Sequence, residues 1–283
     1  MTMTHASLFS GIGGFDLAAE WAGWTNAFNC EIDSFCRKVL KYHFPDAEQY
    51  EDIKKTDFSK WRDRIDVLTG GFPCQPFSLA GKRKGTDDDR YLWPAMLGVI
   101  RTVRPRWVVG ENVYGIVNWS EGMVFDTVCS DLEAAGYEVQ PYIIPACGVG
   151  APHRRDRCWF VAHRADTGIE TMREGKDSLY ADEFVAHADG QRCEECNASE
   201  KSSQTQGLSI QNGNGKRRIP DWSGFPTESP VCDRDDGFPG ELAGLSFPAW
   251  CRESIKACGN AIVPQVALQI FKTIEEYETK QLR

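Results

Sequence analysis

Strand-like and helix-like stretches alternate along the first 160 residues, and that alternation leaves the chain few architectures. Residues 6–9 read as a strand and 15–22 as a helix. A short strand at 26–30 and a helix at 34–42 follow, with Asp33 placed to cap the helix. The series continues with a strand at 65–69, a helix near 94–103, a strand at 106–110 and a helix at 124–135 that stops at Gly136. Strands at 139–144 and 158–162 close it. Helices that alternate with strands in this way cover the faces of one sheet. The expected class is therefore α/β, on a largely parallel, doubly wound sheet.

The texture changes after His163. Residues 164–220 are rich in Asp, Glu, Ser, Gln, Asn and Gly, with little periodicity, and read as a small, loop-rich module. Val161-Ala-His-Arg-Ala-Asp-Thr-Gly168 is partly repeated from Val185 to Gly190, but two copies do not make a solenoid. Order is expected again near Trp222. Val266, Ile270, Ile274 and Tyr277 then lie at helical spacing, as a core-facing stripe. A chain of 283 residues accommodates one large domain and a smaller one.

Composition narrows the setting. No apolar run reaches the length of a membrane-spanning helix, and the first residues do not read as a signal peptide. Eleven cysteines are scattered singly apart from Cys193-Glu-Glu-Cys196, which points to free thiols in a reducing cytoplasm. The net charge of −9 argues against a nucleic-acid partner, but its distribution argues the other way. Basic clusters occur between Lys82 and Arg106, at Arg154-Arg155-Asp-Arg157 and at Lys216-Arg217-Arg218. Each is consistent either with phosphate contacts or with solvated surface.

Five short blocks carry the chemistry. In Gly70-Gly-Phe-Pro-Cys74-Gln-Pro-Phe-Ser78 a thiol sits between two prolines, which exclude helix and central strand and stiffen the loop. Such a loop suits a nucleophile, although alone it also describes a small buried cysteine. Leu8-Phe9-Ser10-Gly11-Ile12-Gly13-Gly14-Phe15 is a strand, a Gly-rich turn and a helix start. Glu31 follows about twenty residues on, where an acid would hold ribose hydroxyls. The pair favours an adenosine-bearing cofactor, and the absence of a Gly-x-x-x-x-Gly-Lys-Ser/Thr run excludes a P-loop. Glu111-Asn112-Val113 lies just beyond a strand, where ligands bind in such sheets, although a lone acid there is also an ordinary cap. In Pro152-His-Arg-Arg-Asp-Arg157, Arg155 and Arg157 share one side of an extended segment and suit a carbonyl or phosphate. A charged edge strand reads the same way. Gly259-Asn260-Ala261-Ile-Val-Pro264 is a turn before a proline-started helix.

Taken together and in this order, the five blocks resemble those of the DNA (cytosine-5)-methyltransferase family, over about residues 6–162 and 259–277. The resemblance implies a Rossmann-like methyltransferase sheet (1–163), a target-recognition region (164–258) and a C-terminal segment (259–283) returning to the catalytic domain. It implies sequence-specific methylation of cytosine C5 with S-adenosyl-L-methionine as donor. Cys74 would be the nucleophile at C6, Glu111 the acid at N3 and Arg155 the group on the base O2, supported by Arg157. Phe9, Gly11, Gly13, Glu31, Ile32, Asp52, Ile53, Gly71, Pro73, Asn260 and Ala261 would line the cofactor pocket, and 82–89 would be a mobile loop closing over the flipped base. The implied partner is double-stranded DNA, with a monomeric enzyme and a cognate restriction endonuclease.

The chain departs from the family at His153, where Gln is usual, and the family's arginine-containing block inside the recognition region is not evident. One Cys-x-x-Cys, with His187 and Cys232 available, lacks the second pair of a zinc site, so no metal is expected. A tRNA-modifying enzyme of the same fold is the alternative, and the separate region after His163 leans toward DNA. A catalytically inactive DNA-binding regulator is disfavoured by intact Cys74, Glu111 and Arg155, and with about six residues before the first block no N-terminal helix-turn-helix is expected. Amino-methylating enzymes need an Asp/Asn-Pro-Pro-Tyr motif that this chain lacks.

Overall fold

A computed structural model of the protein describes residues 2–73, 91–165 and 247–281. Seven strands form one sheet: β1 Thr4–Leu8, β2 Thr25–Cys30, β3 Glu48–Tyr50, β4 Val67–Gly71, β5 Trp107–Val113, β6 Tyr137–Pro145 and β7 Asp156–Arg164. Their spatial order is β3-β2-β1-β4-β5-β7-β6. The pairs from β3 to β5 are parallel, while β7 runs antiparallel to both β5 and β6. The expected α/β class holds. The two strands that close the series form a hairpin, because residues 146–155 between them are too few for the crossover that a parallel pair needs.

Local chemistry explains the helices α1 Gly14–Ala22, α2 Ser34–His43, α3 Trp93–Val103 and α4 Met123–Ala134. Asp33 caps α2 as expected, its carboxylate accepting from the amides of Phe35 (2.9 Å) and Cys36 (3.2 Å). Gly136, at φ 89°, closes the chain after α4. Two more helices, α5 Phe247–Asn260 and α6 Pro264–Gln281, follow residues 166–246. The expected loop-rich module, the return of order near Trp222, the partial repeat, the Cys193/Cys196 pair and the 82–89 loop lie outside the described residues. The expected boundary between 258 and 259 falls inside α5, whose Trp250 and Ala257 pack on Phe35 and Val39 of α2.

Two cores sandwich the sheet. On one face α3 and α4 bury Met96, Ile100, Val128 and Leu132 against Leu8, Leu68 and Phe160. On the other, α1 and α6 bury Phe15, Ala18, Val266, Ile270, Phe271 and Ile274 against Val67, Val109 and Trp159. Val266, Ile270 and Ile274 of the expected stripe are thus core, whereas Tyr277 is 39% exposed and packs edge-on against Trp107. Glu275 and Glu278 fasten α6, accepting from the indoles of Trp24 (2.6 Å) and Trp107 (2.7 Å). Among the described residues, no helix is long and apolar enough to cross a membrane.

One core position is poorly satisfied. Asn29, the register partner of Ser7 on β2, is 1% exposed, and among the described residues neither end of its amide has a hydrogen-bond partner. Asn29→Val suits a strand and removes the orphaned amide, so a gain of about 1–3 kcal/mol is expected in urea denaturation. A loss of stability would show that the amide is satisfied in solution.

Candidate functional site

The carboxyl ends of the parallel strands open into a cavity of about 750 Å³, within the range of small-ligand sites. After β1 the chain turns sharply: Phe9 (φ 51°), Gly11 (φ 54°) and Gly13 (φ 86°) all lie in the left-handed region. Glycine takes that conformation freely, whereas Phe9 costs about 1 kcal/mol or more there, strain of the kind held at ligand sites. The turn is pinned to β2. Glu31 is 9% exposed and accepts from the Gly11 amide (2.7 Å) and the Asp33 amide (2.8 Å), one on each carboxylate oxygen. A Cβ built on Gly11 would face open space.

The two remaining glycines of the turn have a packing reason. A side chain at Gly13 would meet the Phe44 ring at 2.5 Å, and one at Gly14 would meet Ile262 at 2.7 Å. The C-terminal block therefore closes directly on the Gly-rich turn, a close approach that sequence spacing does not reveal.

Across the cavity, β4 ends at Gly71 and β5 presents Glu111 beside it. A Cβ on Gly71 would lie 3.2 Å from Glu111 Oε2, so glycine makes room for the carboxyl. Glu111 is buried, and Arg157 Nε lies 2.9 Å from its Oε1. Burial pushes the Glu111 carboxyl up to about 7, outweighing the opposite pull of Arg157 and Arg155. Asn112 holds the root of the cysteine loop, its Nδ2 donating to Phe72 O (2.9 Å). Pro73, the next residue, lines the cavity; Cys74 itself lies outside the described residues.

Arg155 is positioned differently from Arg157. At φ 39°, it turns its guanidinium to the end of α5, donating to the carbonyls of Gly259 (3.1 Å) and Ala261 (2.6 Å). A cation there also suits the negative end of a helix. The arginine nearest Glu111 is thus Arg157, while Arg155 ties the arginine block to the C-terminal block.

Of the residues singled out from sequence, Phe9, Gly11, Glu31, Ile32, Asp52, Ile53, Gly71, Pro73 and Asn260 line this cavity, as do Glu111, Arg155 and Arg157. Gly13 and Ala261 do not. Gly13 caps α1 against Phe44, and Ala261 contributes its carbonyl to Arg155. Sequence reasoning missed the wall supplied by α5. There Lys256 pairs with Asp33 (Nζ to Oδ2, 2.9 Å), and Glu253 and Ala257 also face the cavity. That segment lacked a motif, and only its apolar residues Trp250 and Ala257 could have marked it as part of this body. Cys30 and Cys36 line the cavity too, but burial and then the Glu31 carboxylate push their thiols up to about 12, so neither is ionised at neutral pH.

A family model described as C-5 cytosine-specific DNA methylase matches residues 3–229. Among curated relatives, Type II methyltransferase M.Eco47II of Escherichia coli is 36% identical over 166 residues, which is 58% of this chain and 40% of that protein. Type II methyltransferase M.AquIA of a Picosynechococcus strain is 36% identical over 175 residues, 56% of this chain and 71% of that protein. Matches to M.HpaII of Haemophilus parainfluenzae likewise span 48% of the relative, so the alignable part is about half of several relatives' length. Among solved structures, a variant of DNMT2 from Spodoptera frugiperda superimposes with a TM-score of 0.50 at 23% identity, over 62% of this chain and 54% of that one. That likeness concerns the fold alone.

Proposed function

This chain belongs to the C-5 cytosine-specific DNA methylase family, and on that premise we propose that it moves a methyl group from S-adenosylmethionine to C5 of a cytosine in double-stranded DNA. The observation that carries the reading is Glu111: a buried carboxyl that retains a proton near neutral pH, held by Arg157, in the cavity where the cysteine loop takes root.

The donor set suits S-adenosylmethionine. Each Glu31 oxygen takes one amide and keeps a lone pair for a ribose hydroxyl. Ile32, 64% exposed at the cavity wall, offers an apolar face for an adenine ring. Gly11 leaves space beside both. When bound, the cofactor supplies an electrophilic methyl on a sulfonium centre.

The residues of the chain do the rest. Cytosine C5 is a weak nucleophile, so the Cys74 thiolate adds first at C6. Glu111 places its proton at N3, which lets electron density collect at C5. Arg157 keeps Glu111 oriented and offers positive charge toward the base, and Arg155 secures the C-terminal block behind the pocket. After methylation the C5 proton leaves to water, the bond to Cys74 breaks to restore the thiolate, and N3 returns its proton to Glu111. These atoms are buried in a duplex, so the target base must be flipped into the cavity. Residues 164 to the start of α5 read the DNA site in this account, the 82–89 loop closes on the base, and the protein acts as a cytoplasmic monomer alongside a cognate endonuclease.

The direct test incubates the protein with duplex DNA and methyl-labelled S-adenosylmethionine, then digests the DNA to nucleosides for chromatography. Label is expected in 5-methyldeoxycytidine. Label in an N4-methylated nucleoside, or transfer to tRNA and not to DNA, would contradict the proposal.

A further inference from the structure

A thread of polar side chains lies inside the sheet, beneath the Gly-rich turn and apart from the cavity lining. His5, Ser7, Asp16 and Thr69 have no measurable exposure, and Ser10 is 6% exposed. The Cys30 amide donates to Ser10 Oγ (3.1 Å), Ser10 lies 2.7 Å from Ser7 Oγ, and Ser7 donates to both oxygens of Asp16 (3.0 and 2.9 Å). A hydroxyl has one proton. With Ser7 committed to Asp16, the Ser10 proton is left to donate to Ser7 Oγ or to the carbonyls of Ser7 (3.2 Å) and Cys30 (3.3 Å), so Ser10 is held to both strands in either case. A second branch leaves α1: Asn26 Nδ2 donates to the Asp16 carbonyl (2.9 Å), which fixes Asn26 Oδ1 toward His5 Nδ1 (2.6 Å). His5 Nε2 then reaches Thr69 Oγ1 (2.9 Å) on β4, two residues before Gly71.

An apolar side chain at position 16 would join Phe15, Ala18 and Ala19 in the core at no desolvation cost. A carboxyl buried here is instead pushed up to about 7, with the Ser7 hydroxyl the leading group pulling it back. What the thread holds is the turn. Ser10, its last member, also donates its amide to Cys30 O (3.2 Å) and accepts from the Gly13 amide (2.9 Å), so it fixes the span between the turn and Glu31.

We propose that Asp16 is a positioning residue for the cofactor pocket: through Ser7 and Ser10 it sets the distance between the Gly11 turn and Glu31. The inference rests on reading this cavity as the S-adenosylmethionine site. Asp16 touches no substrate; it acts only through the turn.

The test titrates S-adenosylhomocysteine into the full-length protein and its variants by calorimetry, with steady-state methyl transfer alongside. Asp16→Ala is expected to weaken binding about tenfold and to raise KM for S-adenosylmethionine similarly, with kcat within about twofold. Asp16→Asn keeps one acceptor for Ser7 and is expected to restore affinity to within about threefold. Should Asp16→Ala not fold, Ser7→Ala removes only the middle hydroxyl and is expected to weaken binding about threefold to tenfold. Folded variants that bind like wild type, or Asp16→Asn as weak as Asp16→Ala, overturn the inference. A wild-type protein that binds no S-adenosylhomocysteine overturns the cavity assignment itself, which separates the two failures.

Discussion

Cys74→Ser is expected to reduce methyl transfer by at least about 10³-fold while leaving S-adenosylhomocysteine affinity within about twofold. Addition at C6 needs an anionic nucleophile. A thiol ionises within reach of neutral pH, whereas a serine hydroxyl does not unless a base takes its proton. Among the described residues the cysteines of the cavity wall, Cys30 and Cys36, offer no substitute, since both thiols are pushed up to about 12. The cofactor side should be indifferent to the change, because Gly11 lies in the turn after β1 and Glu31 and Ile32 directly follow β2, segments remote in sequence from residue 74. Single-turnover rates and calorimetry on the same preparation check both halves. Substantial turnover by the variant would mean that the nucleophile lies elsewhere.

The second large effect is expected at Glu111. Glu111→Gln removes the transferable proton but keeps shape and polarity, and the rate of the chemical step should fall by about 10² to 10⁴-fold. The pH profile gives the sharper signature. Burial raises this carboxyl from an ordinary value near 4.5 to about 7, so its protonated, donating form is lost as pH rises through about 7. The wild-type rate should therefore carry an alkaline decline from this group, opposed by the growing thiolate fraction of Cys74, and Glu111→Gln should remove that decline. Arg157 pulls the carboxyl down, so Arg157→Ala should move the decline to higher pH. Stability follows the same sign. A carboxyl whose folded value exceeds its unfolded one contributes stability that is present below about 4.5 and lost as pH rises through about 7. Urea titrations across pH 5–8 on wild type and Glu111→Gln would show whether the difference between them follows that window.

Much of the architecture was legible because it depends on periodicity and punctuation. Asp33, Gly136 and Pro264 mark helix ends by chemistry that acts over a few residues, and the structure places a helix boundary at each. The three-residue β3 was not legible: Glu48, Gln49 and Tyr50 show no apolar alternation, and they become a strand only because β2 offers an edge. The antiparallel sense of β7 was hidden for a related reason, since strand direction depends on which neighbour accepts it. α5 was obscured because it emerges from the compositionally irregular stretch, and its packing on α2 joins residues more than 200 positions apart.

The site divides in the same way. Glu31, Glu111, Arg155 and Arg157 were recognisable as blocks, and one cavity gathers them. Their division of labour was not. Only the fold decides that Arg157 meets Glu111 while Arg155 turns to the carbonyls of Gly259 and Ala261. The thread from Thr69 to Ser10 was also unreadable, because isolated Ser, His and Asp residues look the same in sequence whether they face solvent or fill a core.

The central claim is that Cys74 bonds to C6 of a cytosine before the methyl arrives. The most direct measurement uses a pool of random-sequence duplexes containing 5-fluorodeoxycytidine, incubated with S-adenosylmethionine and resolved under denaturing conditions. Fluorine cannot leave C5 as the proton does, so the reaction should stop with DNA covalently attached through Cys74, and the adduct should be missing with Cys74→Ser. Wild-type protein that binds S-adenosylhomocysteine yet forms no adduct with this DNA would contradict the account.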